Sequence, residues 1–257
     1  MKSSRSIPVP ANMSVVPKSN PPVQANWQPA ADLDVLQKRA ELLACMRAFF
    51  AGRGVLEIET PSMSRAVTPD PVLESFQTTY NGPGLPDETP LYLHTSPELF
   101  MKRLLAAGSG SIYQFARVFR NKESGRQHNP EFTLLEWYRV GFTYHKLMDE
   151  IEALLKHCCK ELLTTPVRRI SYRALFEEFA SVDPFVADDV ELSHCLHIHG
   201  HDVSPGDNEQ RQFWLDLILT HVIEPQMYQG AFFVFDYPAD QAALAQIRND
   251  NPPVAER

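Results

Sequence analysis

With 257 residues, 44% apolar and 22% charged, the chain is long enough to bury a full core and has the make-up of a globular protein of one or two domains. No apolar run approaches a membrane span, and no apolar stretch follows Lys2 and Arg5, so neither a spanning helix nor a signal peptide is expected. The net charge of −8 argues against a protein whose main task is to grip nucleic acid, because phosphate neutralisation needs clustered Lys and Arg. Cys45, Cys158, Cys159 and Cys195 show no paired spacing, which fits a reducing cytoplasm, and they read as buried or idle thiols.

Residues 1–31 are Pro-rich and aperiodic and read as a disordered or extended arm. From Asp32 the pattern changes: Leu33, Leu36, Ala40, Leu43, Met46, Phe49 and Phe50 recur at helical spacing until Gly52 and Gly54 end the run. Residues 55–60 then read as a strand stopped by Pro61. Short strands are expected over 76–80 and 91–94. A helix starts at Thr95-Ser96-Pro97-Glu98, with Ser96 as N-cap, Pro97 as first helical residue and Glu98 near the positive helix end, and it runs to Gly108.

Residues 112–119 are rich in aromatic and β-branched types and predict a strand. A polar loop with Asn121, Gly125, Asn129 and Pro130 follows, then a returning strand from Phe132. A long helix carries Leu147, Met148, Ile151, Leu154, Leu155 and Cys158 on one face. Ser171 caps a further helix through Phe179, residues 213–223 are helical by periodicity until Pro225, and 232–235 read as a buried strand. Strands separated by helices and long loops, with a tight connection between two of them, predict an α+β fold with an antiparallel sheet over 32–257.

The loop and its strands place Arg117, Arg120, Lys122 and Arg126 beside Glu123, Glu131 and Glu136, in a segment that must be partly buried to form a sheet. Charges are rarely put there without partners or a ligand. The chain has no Gly-rich phosphate loop and no dinucleotide fingerprint, so a nucleotide would have to be held by arginines and carboxylates on a sheet. His194, His197, His199 and His201, with Cys195, match no established zinc spacing and read as a solvated polar segment.

The run from Phe119-Arg120 through His128-Asn129-Pro130-Glu131-Phe132-Thr133 to Glu136-Trp137-Tyr138 resembles motif 2 of the class II aminoacyl-tRNA synthetases, in the version of the lysyl branch. The helix, glycines and strand that end in Glu59-Thr60-Pro61 resemble motif 1, which implies a homodimer formed through the region from Met46 to Pro61. Within the branch, Glu136-Trp137-Tyr138-Arg139 and residues 237–246 resemble the elongation factor P β-lysine ligases. Only about 30 residues precede motif 1, which leaves no room for the anticodon-binding barrel of lysyl-tRNA synthetases. Nothing before Arg257 matches motif 3, so the C-terminal part of the catalytic fold is expected to be missing.

The resemblance implies the class II catalytic fold, and a ligase that uses ATP to activate (R)-β-lysine as an acyl-adenylate. Transfer would be to a lysine of elongation factor P, with tRNA not the expected partner. A lysyl-tRNA synthetase-like enzyme and a non-catalytic paralogue stay open as alternatives. Adenylate formation brings a carboxylate to a phosphate. A guanidinium can bridge two such anions and keeps its proton, and the resemblance gives that catalytic role to Arg120. It also implies ATP contacts from Arg120, Asn121, Lys122, Glu123, His128 and Asn129, and amino-acid contacts from Ser96, Pro97, Glu98 and Tyr138. Mg²⁺ is expected with ATP, its ligands lying outside this chain, and no metal ligand is assigned here. One departure stands out. Where the family has a Glu for the adenine amino group, the second position after Arg120 is Lys122, and Glu123 comes one residue later.

Overall fold

The structure is a computed structural model that describes residues 31–67, 73–126, 128–163, 165–203, 211–227 and 230–257. The expected arm over 1–31 lies outside the described residues except for its last one. The chain divides into two compact units, Met1–Ala40 and Glu41–Arg257, and each is treated by itself. The described part of the first is the opening of helix α1 (Leu33–Ala51), which closes in the second.

The α1 helix ends where the glycines predict. The Phe50 carbonyl accepts the Arg53 and Val55 N–H groups, and Gly54 takes φ +65, a conformation that favours glycine. The chain then enters strand β1 (Leu56–Glu57). The expected strand over 55–60 shrinks to these two residues, paired in parallel with Ile112 and Tyr113, plus an Ile58 N–H donated to the Tyr113 carbonyl. Strands β2 (Met63–Ser64), β3 (Gln77–Tyr80) and β4 (Thr89–Leu93) form a small antiparallel sheet in the order β2-β4-β3. It leads into helix α2 (Glu98–Ala106).

Strands β5 (Ile112–Phe119) and β6 (Glu131–Tyr138) pair antiparallel over their full length, from Ile112 opposite Tyr138 to Phe119 opposite Glu131. Behind this hairpin lies helix α3 (Tyr144–Cys158), capped by Thr143, whose hydroxyl accepts the Lys146 N–H. Between hairpin and helices Phe49, Phe50, Val55, Tyr113 and Leu154 form one core. The Phe50 ring stacks on Tyr113 at 4.5 Å and leans on Trp137 at 5.6 Å. The polar edge of Trp137 is satisfied as well: its indole N–H donates to Glu150, which also pairs with Arg139 at 3.2 Å.

A second core is built from strand β7 (Arg168–Ser171), helices α4 (Tyr172–Ala180), α5 (Asp189–Ile198) and α6 (Arg211–Ile218), and strand β8 (Phe232–Phe235). Ser171 caps α4 as predicted, accepting the Ala174 N–H at 3.2 Å. The helical run after α6 continues through a π turn over 219–223 and ends in a 3₁₀ turn containing Pro225. Strands β9 (Tyr237–Pro238), β10 (Ile247–Arg248) and β11 (Val254–Ala255) complete the chain. Among the described residues no helix is long and apolar enough to cross a membrane.

Three expectations need correction. The sheets are mixed rather than purely antiparallel: β1 joins β5, and β7 joins β8, in parallel, because a long excursion separates each pair. Strand β8 is half-buried, not buried. The segment around His194 is not simply solvated. It belongs to α5, whose capping box pairs Asp188 with Glu191, and Leu192, Cys195 and Leu196 enter the core while His194, His197 and His199 stay exposed.

Candidate active site

The period of a strand builds the site. Phe132, Leu134, Glu136 and Tyr138 fall on one face of β6, while Leu135 and Trp137 on the other face pack into the core with Phe50. Over the first face opens a cavity of about 720 Å³ whose lining includes Thr95, Ser96, Glu98, Lys102, Arg120, Leu134 and Glu136. Leu73, Leu99, residues 242–245 and Arg257 complete its walls.

Glu136 in this lining is a held carboxylate. The Ser96 hydroxyl donates to Glu136 Oε2 at 2.8 Å, and the Tyr138 hydroxyl donates to Glu136 Oε1 at 2.7 Å. Burial, then the hydrogen bond to Glu136, drives the Tyr138 hydroxyl well above its usual range, so it stays a donor. Ser96 also accepts the Glu98 N–H at 3.1 Å, as the predicted cap would. The helix itself starts one residue later than expected, with Pro97 at the N-cap rather than inside the first turn. Glu98 adds a second carboxylate, paired at 2.6 Å with Lys102 one turn along α2.

Arg120 brings a cation to the same lining. The Arg120 N–H donates to the Pro130 carbonyl, and its guanidinium lies 5.0 Å from the Phe132 ring and 3.8 Å from Glu123. Among the described residues its Nε is buried without a hydrogen-bond partner, and so is the Thr95 hydroxyl in the same lining. Unsatisfied buried polar atoms are uncommon and need a reason; two of them on residues that line one cavity fit a ligand that brings acceptors.

The loop after Arg120 turns two of its residues away. Asn121 donates its side-chain amide to Glu74 Oε1 at 2.7 Å and its backbone N–H to the Glu74 carbonyl. Lys122, at φ +65, reaches Glu74 Oε2 at 2.5 Å, and this contact holds the Glu74 carboxyl below its usual range. Glu123, one residue later, is the carboxylate that returns to Arg120. His128 and Asn129 are exposed and outside the cavity, although the His128 carbonyl accepts the Gly125 N–H and closes the loop.

The structure therefore brings together Ser96, Glu98, Arg120 and, through Glu136, Tyr138, with Glu123 beside them. Asn121, Lys122, His128 and Asn129 stand apart from that cavity. Four polar lining residues were not assigned roles from the sequence: Glu136, Lys102, Thr95 and Arg257. The first two had a signal, since Glu136 lies two residues before Tyr138 on one strand face and Lys102 four residues after Glu98 on one helix face. Among the described residues no group of three metal-ligating side chains converges at this cavity.

The fold is that of a class II synthetase domain. The family described as tRNA synthetases class II (D, K and N) matches residues 29–257, and the chain belongs to it. Curated relatives narrow this further. The chain is 46% identical over 236 residues to "Elongation factor P--(R)-beta-lysine ligase" of Vibrio vulnificus (strain YJ016), covering 91% of this chain and 72% of the relative. It is 47% identical over 234 residues to the protein of that name from Yersinia enterocolitica, covering 91% and 71%. It is 43% identical over 233 residues to that of Haemophilus influenzae (strain PittGG), covering 90% and 71%. The chain is thus a class II synthetase-like ligase, and ATP use comes with the family.

Proposed function

We propose that this chain activates (R)-β-lysine with ATP and transfers it to a lysine side chain of elongation factor P. The observation that carries the reading is a single cavity whose lining includes the Arg120 guanidinium together with the Glu98 and Glu136 carboxylates. A β-lysine has one carboxylate and two ammonium groups, and this arrangement of charge is its complement.

In the first step the substrate carboxylate attacks the α-phosphate, the bond to the leaving pyrophosphate breaks, and an acyl-adenylate forms. The carboxylate is ionised at neutral pH, so no general base is needed, and the protein contributes positioning and charge stabilisation. Arg120 spans the two anions through donors it does not spend on protein partners. Glu98 and Glu136 hold the ammonium groups, with Ser96 and Tyr138 orienting Glu136. In the second step the elongation factor amine attacks the acyl carbon and AMP leaves. Glu123 is our candidate for the adenine amino group, since Lys122 is engaged by Glu74. Mg²⁺ would arrive with the nucleotide phosphates.

A homodimer through the Met46 to Pro61 region is part of the proposal. It is supported by Leu56, 56% exposed on β1, the outermost strand of its sheet. Light scattering on the purified chain tests it. The proposed location is the cytoplasm, and the proposed catalytic domain spans 32–257. ATP–pyrophosphate exchange dependent on (R)-β-lysine, followed by mass gain on elongation factor P, tests the reaction. A chain that instead charges tRNA with lysine, or that folds and shows no exchange, overturns it.

A further inference from the structure

Away from that cavity, α1 and the last turn of α3 bring three metal-ligating side chains together. The ligand atoms of Cys45, His157 and Cys158 all lie within 4.8 Å of one another, and among the described residues this is the one such group. The separation of 112 residues between Cys45 and His157 hides it from any spacing motif.

The local geometry explains the convergence. The Cys45 thiol lies 3.7 Å from the His157 carbonyl, to which it donates. One turn further along α1, the Phe49 ring packs at 5.7 Å against the His157 imidazole. Neighbouring residues inside a helix point in different directions. Here the helix ends at Cys158, and Cys159 leaves helical geometry at φ −141, ψ 43. Cys45 and Cys158 are half-buried, and His157 is exposed. Neither ring nitrogen of His157 is hydrogen-bonded to a described residue.

We propose that Cys45, His157 and Cys158 form a binding site for a thiophilic divalent ion of the Zn²⁺ class. Two thiolates and an imidazole select zinc over Mg²⁺ or Ca²⁺, which want oxygen ligands. Zinc bonds of about 2.3 Å to sulfur and about 2.0 Å to nitrogen put tetrahedral ligands roughly 3.5 Å apart, so side-chain rotations that close about 1 Å complete the set. The exposed side of His157 supplies the entry path, and water takes the fourth position. The bound ion would staple α1 to α3 across the core that holds Phe49 and Phe50. It has no part in adenylate chemistry.

The full chain, reduced and stripped of metal, should take up one equivalent of Co²⁺ with a thiolate charge-transfer band and tetrahedral ligand-field absorption. Zn²⁺ should displace the Co²⁺ and raise the melting temperature. Cys45→Ser and Cys158→Ser should abolish the band, His157→Gln should weaken it, and Cys195→Ser should leave it unchanged. Absence of a band in the unmutated chain, or a band that survives Cys45→Ser, overturns the site. Should the cysteine variants fail to fold, alkylation of the unmutated chain decides. Stoichiometric Zn²⁺ must protect Cys45 and Cys158 together. Equal labelling with and without Zn²⁺, or a Cys45–Cys158 disulfide in a chain that takes up no metal when reduced, rejects the proposal.

Discussion

Replacing Arg120 by lysine separates its structural work from its chemical work. Among the described residues the side chain has two charge contacts to lose: an ion pair to Glu123 at 3.8 Å between side chains 25% and 29% exposed, and the face of Phe132 at 5.0 Å. A partly exposed pair contributes at most about 1 kcal/mol, and a cation over an aromatic ring about 0.5–1 kcal/mol. Arg120→Lys keeps a charge near both, so the stability cost should stay under about 2 kcal/mol, a fall in melting temperature of several degrees. Catalysis should suffer more. Loss of a fixed donor aimed at transition-state charge typically costs about 100- to 1,000-fold, equivalent to about 2.7–4 kcal/mol. Lysine cannot present two parallel donors to two anions. ATP–pyrophosphate exchange at saturating ATP and β-lysine reads the chemical step, and urea unfolding of the same preparation reads stability. Exchange within tenfold of the unmutated chain would refute the role given to Arg120. So would a stability loss above about 4 kcal/mol, because the guanidinium would then be a structural element that the contacts at hand do not reveal.

Tyr138→Phe removes the donor that holds Glu136 Oε1; exchange assays should show a higher KM for β-lysine with an unchanged KM for ATP. Phe50→Ala empties a fully buried site beneath the hairpin and should cost about 3–5 kcal/mol in urea unfolding. Glu150→Ala leaves Arg139 without its buried partner and should cost a similar amount, about 3–5 kcal/mol, while an exposed change such as Lys38→Ala costs nothing measurable. The Glu74 carboxyl is held below its ordinary value of 4.5, so its pairing with Lys122 supports the loop above that pH and is lost as pH falls through the lowered value. An NMR titration should show Glu74 returning towards 4.5 in Lys122→Met.

The β5–β6 hairpin was legible because its signals agree. Residues 112–119 are dense in strand formers, the loop is dense in turn formers, and the charges fall where a ligand is needed. Helices α3 and α4 were legible from periodicity and, for α4, from Ser171 as its cap. Helix α5 was not, because His194 and His197 within it, with His199 and His201 just beyond, mask the Leu192, Cys195 and Leu196 stripe, and its capping box begins with an unremarkable Asp188. The parallel partners of β5 and β7 were also beyond reach, since two- and four-residue strands are defined by neighbours far along the chain. In the candidate site, Arg120 and Tyr138 come from the run that resembles motif 2, and Ser96 and Glu98 from the separate Thr95-Ser96-Pro97-Glu98 segment. Local chain sense does not reveal that Glu74 draws Asn121 and Lys122 aside. That depends on a contact between segments 47 residues apart, and on one residue accepting a left-handed backbone.

The pair between Glu98 and Lys102 gives the cavity an unusual starting condition. Before any substrate enters, one of the protein's own ammonium groups already occupies Glu98. On the reading proposed here, an incoming ammonium does not fill a vacancy but swaps places with a tethered competitor. The free energy of capture is then the difference between two nearly equivalent cations. A lone ammonium ion, or a free amine lacking the rest of β-lysine, gains almost nothing from the exchange and should be a poor inhibitor. Only a ligand that brings its second ammonium to Glu136 and its carboxylate towards Arg120 tips the balance. Discrimination against simple amines is thus achieved by occupancy, without a wall to exclude them.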